Sequence, residues 1–277
     1  MTDPAGSGAP RQPLPDRWQR GDPYEHYVGR WSRLVAPRFL AWLDLPQGLR
    51  WVDVGCGTGA LAGAIADMCR PASLAGVEPS EGFAKAARAN LPAHVQVHAG
   101  NAASIPLPTA SVDVVVSGLV LNFVPDTAAG LAEMMRVTAP GGSIGAYVWD
   151  YASGMELMRH FWDAAVAHDP AAAALDEGQR FSLCRPEALV DRFAGAGLAD
   201  VDVKAIDIDT RFASFDDYWT PFLGGQGTAP TYLMSLPEAS RNAIRDDLRA
   251  RLPTGADGTI ALKARAWAVR GTREAKA

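Results

Sequence analysis

Apolar residues recur at helical spacing from Leu34 to Leu45 (Leu34, Val35, Phe39, Leu40, Trp42, Leu43) and predict an amphipathic helix. Arg50 to Val54 follows as a short apolar strand that runs into a glycine cluster, and Ala60 to Cys69 is small and apolar at helical period. The alternation then repeats. Ser73 to Val77 predicts a second strand, and Ser80 to Leu91 a helix with Ser80 as its N-cap. Val95 to His98 alternates like a third strand, and the valine-rich run Val112 to Val116 suits a strand buried on both faces. Asp126 to Val137 predicts a helix, Gly141 and Gly142 a turn, and Ser143 to Trp149 a fifth strand. Regular strand–helix alternation with short connections implies a parallel sheet covered by helices on both faces. Right-handed crossovers make it a doubly wound α/β fold.

Beyond Asp150 the pattern loosens. Met155 to Ala167 predicts a helix carrying Phe161 and Trp162, Arg185 to Gly195 another, and Val201 to Ile208 a strand. An aromatic stretch, Phe212 to Phe222, precedes Gly224-Gly225-Gln226-Gly227. Glu238 to Leu252 predicts an amphipathic helix, and Thr259 to Val269 a last strand with Ile260, Leu262, Ala264, Ala266 and Ala268 on one face. The expected organisation is a disordered tail over 1–20, a ligand-binding core over 21–150 with a helix capping its N-terminal side, and the rest of the core over 151–277.

Composition narrows the class. The 277 residues are 48% hydrophobic, enough for a full core, and the net charge is −5 with no run of Lys and Arg. A nucleic-acid partner is therefore not expected. Cys56, Cys69 and Cys184 are an odd set without a C-x-x-C pair, which predicts reduced thiols and no metal site. Met1 to Asp16 has no apolar core of a secretory leader, and no apolar stretch is long enough to cross a bilayer. A cytoplasmic protein with no membrane partner is expected.

The strongest chemical signal is Val52-Asp53-Val54-Gly55-Cys56-Gly57-Thr58-Gly59. Glycines at alternate positions let the chain turn sharply after a strand and let a ligand approach the backbone. The next helix then points its N-terminal N–H groups at that ligand. Gly55, Gly57 and Ala60 also satisfy the dinucleotide pattern G-x-G-x-x-[G/A]. Two features tilt the reading away from a pyrophosphate and toward a cationic cofactor: the third alternate glycine, Gly59, and the acid Asp53 before the first. Glu78, roughly twenty residues on, stands where an acid accepts both ribose hydroxyls. Asn101, in Gly100-Asn101-Ala102, offers a carbonyl to an adenine amino group. The strand through Ser111 to Gly118 ends on the ligand edge of the sheet.

In this order and spacing the four motifs resemble the class I S-adenosylmethionine-dependent methyltransferases, more narrowly the small-molecule branch known as methyltransferase type 11 or ubiquinone-biosynthesis-like. The resemblance spans Tyr24 to Trp149. It implies S-adenosylmethionine as cofactor, a Rossmann-like, mostly parallel sheet with an antiparallel last strand, and a helical lid insertion over 211–252 hinged at Gly224 to Gly227. It also implies cofactor contacts from Asp53, Gly55, Cys56, Gly57 and Gly59, from Glu78 and Pro79, from Asn101 and Ala102, and from Ser117 beside Gly118. Asn101 replaces the family's usual Asp, and Leu121-Asn122-Phe123 lacks the His that the family often carries there. The segment Tyr24 to Ser32 is expected to fold over the cofactor, with Tyr27 and Arg30 toward its carboxylate; alternatively Tyr27 and Trp31 pack the leading helix.

Asp150 and His160 are the candidate general bases, against the plainer readings of a turn cap and an ordinary helix residue. Trp149, Tyr151, Phe161, Trp162, Phe215, Tyr218, Trp219 and Phe222 are candidate walls of an apolar pocket for a small, apolar or aromatic acceptor. Two other readings compete. A nicotinamide-dependent oxidoreductase would need a Tyr-x-x-x-Lys pair, which the chain lacks; a cofactor-binding protein without catalysis needs no base. A nucleic-acid base methyltransferase is disfavoured by Ser117-Gly118-Leu119-Val120 in place of an Asn/Asp-Pro-Pro-aromatic motif, and by the absence of Pro-Cys.

Overall fold

The computed structural model describes residues 29–224 and 227–275. The tail over 1–20, Tyr27, and Gly225 and Gln226 of the expected hinge lie outside the described residues. The first half of the chain runs α1 (Arg30–Leu43), β1 (Arg50–Val54), α2 (Ala60–Met68), β2 (Ser73–Glu78), α3 (Glu81–Asn90), β3 (Gln96–Ala99), β4 (Val112–Gly118), α4 (Thr127–Val137) and β5 (Thr138–Trp149). The second half runs α5 (Glu156–His168), α6 (Glu177–Arg180), α7 (Pro186–Gly195), β6 (Ala199–Phe212), α8 (Phe215–Trp219), α9 (Thr228–Ser235), α10 (Glu238–Arg251) and β7 (Ile260–Thr272).

All seven strands form one sheet in the order β3-β2-β1-β4-β5-β7-β6. β1 to β5 pair in parallel, and β7 runs antiparallel to both β5 and β6. This is the expected doubly wound, Rossmann-like sheet. The order reverses beside β1, so the carboxyl ends of β1 and β4 open a crevice there. Helices cover both faces, which is why Val52, Val54, Val115 and Val116 are fully buried. α1 lays Val35, Phe39 and Leu43 on one face, with the Phe39 ring 4.9 Å from that of Tyr147 on β5. Ser80 caps α3 as its sequence predicts, its Oγ accepting from the Phe83 N–H at 3.5 Å.

Three expectations need correction. The Gly141-Gly142 turn is an irregular start of β5, which follows α4 without a break. Gly141 is required by its φ of +80°, with open space where a Cβ would stand, and Gly142 by close strand pairing, since a Cβ there would lie 2.5 Å from the Asp113 carbonyl. β6 spans Ala199–Phe212 rather than Val201 to Ile208, because cross-strand pairing with β7 carries its polar positions. Arg265 and Asp207 meet at 2.7 Å and Arg270 and Asp202 at 3.3 Å, contacts that periodicity along one strand does not reveal.

The third correction concerns the aromatic stretch. Phe161 and Trp162 on α5 join Tyr218, Phe222 and Tyr232 in a closed core between α5 and the insertion. Phe161 stacks on Phe222 with centroids 4.6 Å apart, and the Tyr218 hydroxyl donates to the Leu157 carbonyl at 2.9 Å. Phe215 and Trp219 stack on each other at its margin. These rings hold the insertion to the domain.

Truncating a ring at the centre of that core leaves a void that rigid neighbours do not fill. Phe161→Ala is therefore expected to lower stability by about 3–5 kcal/mol, read from urea unfolding midpoints, while leaving the cofactor cavity described below intact.

Candidate functional site

A cavity of about 640 Å³ opens at the carboxyl ends of β1, β2, β4 and β5. Its floor is the turn after β1. Gly55 (φ +75°) and Gly57 (φ +55°) both adopt left-handed backbone. A Cβ on Gly55 would sit 2.6 Å from the Val120 side chain, whereas one on Gly57 would meet nothing within 4 Å. Gly55 is thus demanded by packing as well as by φ, and Gly57 by φ alone. The Gly55 and Cys56 amides donate to the Val77 carbonyl at 2.7 and 3.1 Å, which ties the turn to β2.

Glu78 ends β2 and borders the cavity. Its Oε2 accepts from the Gly57 N–H at 3.0 Å and its Oε1 from the Ser80 N–H at 2.9 Å. Each oxygen keeps a lone pair for a ligand. Burial raises its pKa, and the two backbone donors counter part of that rise. Asp53, one residue from the end of β1, is 1% exposed and also borders the cavity. Neither carboxylate oxygen has a hydrogen-bond partner. Burial pushes its pKa up to about 7; the Ala62 backbone N–H, which makes no hydrogen bond of normal geometry, offsets part of this, and the neighbouring Glu78 adds to it. A buried carboxylate without a partner is costly, and a cation in the adjoining cavity would offset that cost.

The other expected contacts divide cleanly. Asp53, Gly55, Cys56, Gly57, Glu78, Pro79, Asn101 and Ala102 all border this one cavity. Asn101 uses its Oδ1 to hold its own turn, accepting from the Ala103 N–H at 2.9 Å. Burial pushes the Cys56 thiol far above neutral pH, so it stays protonated and is no nucleophile. Gly59 does not border the cavity: it begins α2 at φ +92°, where a Cβ would lie 3.0 Å from Leu91. Ser117 is turned inward by the period of β4 and donates its Oγ to the Val54 carbonyl at 2.8 Å, which leaves Gly118 on the cavity.

Arg30, Asp150 and His160 fall elsewhere. Arg30 donates to Asp217 at 2.9 Å and lies over the Trp31 and Phe212 rings, so its charge is engaged by the insertion. Asp150 is buried and caps the turn after β5, accepting from the Ser153 N–H and Oγ at 2.9 Å each. His160 borders a separate cavity of about 490 Å³ with Glu156, Thr210 and Lys263. Of the expected aromatic walls only Trp149 and Tyr151 border the main cavity, and no described residue of 211–252 does. Among the described residues the insertion therefore acts as a packed buttress and lines no part of this site.

Sequence reasoning missed Ser32, Phe83, Leu119, Phe123 and Tyr147, all on the cavity. Tyr147 had a signal, since it stands two residues before Trp149 on one strand and shares its face. Leu119 had none: its φ of +64° is a left-handed conformation in a bulky residue, and its N–H donates to the Tyr147 carbonyl at 2.7 Å. Strain of that kind concentrates where a ligand is held.

The comparisons with known proteins agree with this geometry. Residues 52–145 match the family model described as a methyltransferase domain. A demethylmenaquinone methyltransferase from Geobacillus kaustophilus is 35% identical over 129 residues, 42% of this chain and 55% of that one. A malonyl-[acyl-carrier protein] O-methyltransferase from Serratia marcescens is 34% identical over 113 residues, 41% of this chain and 43% of that one. The chain spans 33%, 34% and 55% of the length of the first curated relatives it matches. A Haemonchus contortus phosphoethanolamine N-methyltransferase solved with S-adenosylhomocysteine shares the fold, with a TM-score of 0.55 at 16% identity over 91% of this chain and 57% of that one. Residues 52–145 therefore carry a methyltransferase domain, on the fold that the solved methyltransferase shares.

The Asp53 pKa makes a prediction for the ligand-free protein. In the unfolded chain the carboxyl titrates near 3.8; in the fold it titrates near 7. Between those values the folded state holds a proton that the unfolded chain has lost, so this group makes stability fall as pH rises through the window. Unfolding midpoints measured across it are expected to show that decline, and Asp53→Asn is expected to reduce it.

Proposed function

We propose that the chain binds S-adenosylmethionine in the main cavity and transfers its methyl group to a small, apolar or aromatic acceptor. The observation that carries this reading is the unpaired, buried carboxylate of Asp53 beside Glu78 on a glycine turn at the carboxyl edge of the sheet. In this reading Asp53 receives the ammonium of the cofactor and Glu78 its two ribose hydroxyls. Pro79, Phe83 and Ala102 hold the adenine, with Asn101 at its polar edge. The backbone at Gly118 and Leu119 lies along the methionine portion, and the N-terminus of α2 faces it. Tyr27 is assigned to the methionine carboxylate; Arg30 is not, because Asp217 engages it.

The cofactor supplies a methyl group already activated on a sulfonium. The work left to the chain is to hold the acceptor in line, keep water out and fix the orientation. Asp150 and His160 take no part in this reading, and among the described residues no histidine borders the cavity. The oxidoreductase alternative is disfavoured by the same observation. A pyrophosphate on this turn would face the buried carboxylate of Asp53.

Calorimetric titration with S-adenosylmethionine, S-adenosylhomocysteine and NAD tests the proposal. The first two are expected to bind in the micromolar range, NAD not at all, and Glu78→Ala to weaken both by at least about tenfold through loss of charged hydrogen bonds. Binding of NAD alone would overturn it. Because a cation prefers the ionised carboxylate, affinity is also expected to rise with pH through about 7, and Asp53→Asn to flatten that dependence.

A further inference from the structure

β5 presents Tyr147 and Trp149 on one face, and Tyr151 follows at the next alternate position; all three border the main cavity. Gly118 stands against this row, since a Cβ there would lie 2.6 Å from the Tyr147 hydroxyl oxygen. Three aromatic side chains along one wall favour a flat, aromatic occupant. Trp149 is 2% exposed, and its indole N–H is buried with no hydrogen-bond partner. Trp31 and Trp51 also carry unpartnered indole N–H groups, but neither residue borders the cavity. A buried donor without an acceptor is rare in folded proteins and calls for an explanation. At Trp149 the explanation at hand is a ligand that brings the acceptor atom.

The ionisable groups narrow the ligand further. The carboxylates bordering the cavity are Asp53, Glu78 and Asp126. The first two are assigned to the cofactor, and Asp126 caps α4 by accepting from the Ala129 N–H at 2.9 Å. Among the described residues bordering the cavity every carboxylate already has another role, which favours an acceptor that loses its proton to water unaided. Phenols and enols do so; aliphatic alcohols do not. An amine is disfavoured because its single lone pair cannot both accept from the indole N–H and attack the methyl group, whereas a phenolate oxygen has lone pairs for both.

We propose, on the methyl-transfer reading above, that the acceptor is a planar phenol or enol whose ionised oxygen is received by the indole N–H of Trp149. The proton leaves to solvent first. The oxygen then forms its bond to the methyl carbon as the sulfur–methyl bond breaks, and that electron pair stays on sulfur. Trp149 thereby selects an oxygen acceptor over a nitrogen one.

The probe is 4-nitrophenol, whose ionised form absorbs in the visible, added to the full chain saturated with S-adenosylhomocysteine. Its phenolate band is expected to grow on binding at a pH where the free phenol is mostly protonated. Its amine counterpart, 4-nitroaniline, is expected to bind about tenfold more weakly. Trp149→Phe is expected to weaken 4-nitrophenol about tenfold and abolish the spectral change, with S-adenosylhomocysteine affinity held within about twofold. An unchanged spectrum, equal binding of the two probes, or an unaffected Trp149→Phe would overturn the assignment. Should that variant fail to fold, the contrast between the probes on the wild-type chain decides alone. Failure of S-adenosylhomocysteine to bind the wild type would instead overturn the methyl-transfer reading itself.

Discussion

Two backbone groups on Glu78 fix the geometry of the whole carboxyl edge. By accepting from Gly57 on one oxygen and from Ser80 on the other, this side chain clamps the turn after β1 to the start of α3. The Val77 carbonyl adds the Gly55 and Cys56 amides to the same clamp. The parallel register of β1 and β2 is thereby carried past the ends of both strands and into the cavity floor. Left-handed glycines make the turn possible, but it is the acceptor on β2 that selects one conformation from the several such glycines allow. Because the clamp consumes one lone pair on each oxygen, what remains points to a ligand with two hydroxyl donors.

Asp53 is the counterpart of that order. A carboxylate near the end of a buried strand, without a hydrogen-bond partner, opposes folding, and its raised pKa records the opposition. The sheet tolerates it because the flanking Val52 and Val54 are fully buried and hold β1 in place. A cationic ligand converts the burden into affinity, so ionising Asp53 weakens the ligand-free fold but favours binding. Neither Asp53 nor Leu119, in its left-handed backbone, is what folding alone would choose; both sit on the cavity.

Most of the fold was legible because its signals are local. The strand–glycine–helix unit, the valine-rich β4 and the caps at Ser80 and Asp126 each follow from a few adjacent residues. The cavity at the carboxyl edge was legible for the same reason, since it is built from the ends of neighbouring strands. What failed depends on partners distant in sequence. Arg30 was assigned to a carboxylate, and it found one, but on Asp217. Asp150 and His160 were chosen for their chemistry near the end of β5, and local capping and the direction of α5 decided their fate. Ser117 was off by one residue, which in a strand means the opposite face.

The insertion over 211–252 is the most informative element. Aromatic residues at helical spacing suggest a wall, but a ring buries as well against another ring as against a ligand. Here Phe161, Phe222, Tyr218 and Tyr232 satisfy one another. The insertion joins the domain through this core and through the Arg30–Asp217 pair, which ties it to α1. α1 in turn packs on Tyr147, the first of the aromatic row on β5. Among the described residues, then, the aromatic wall of the cavity belongs to β5 itself, and the insertion touches it only at second hand, through α1. In such an arrangement an occupant of the cavity meets the rigid sheet directly, and the insertion reaches it only through what leans against that sheet.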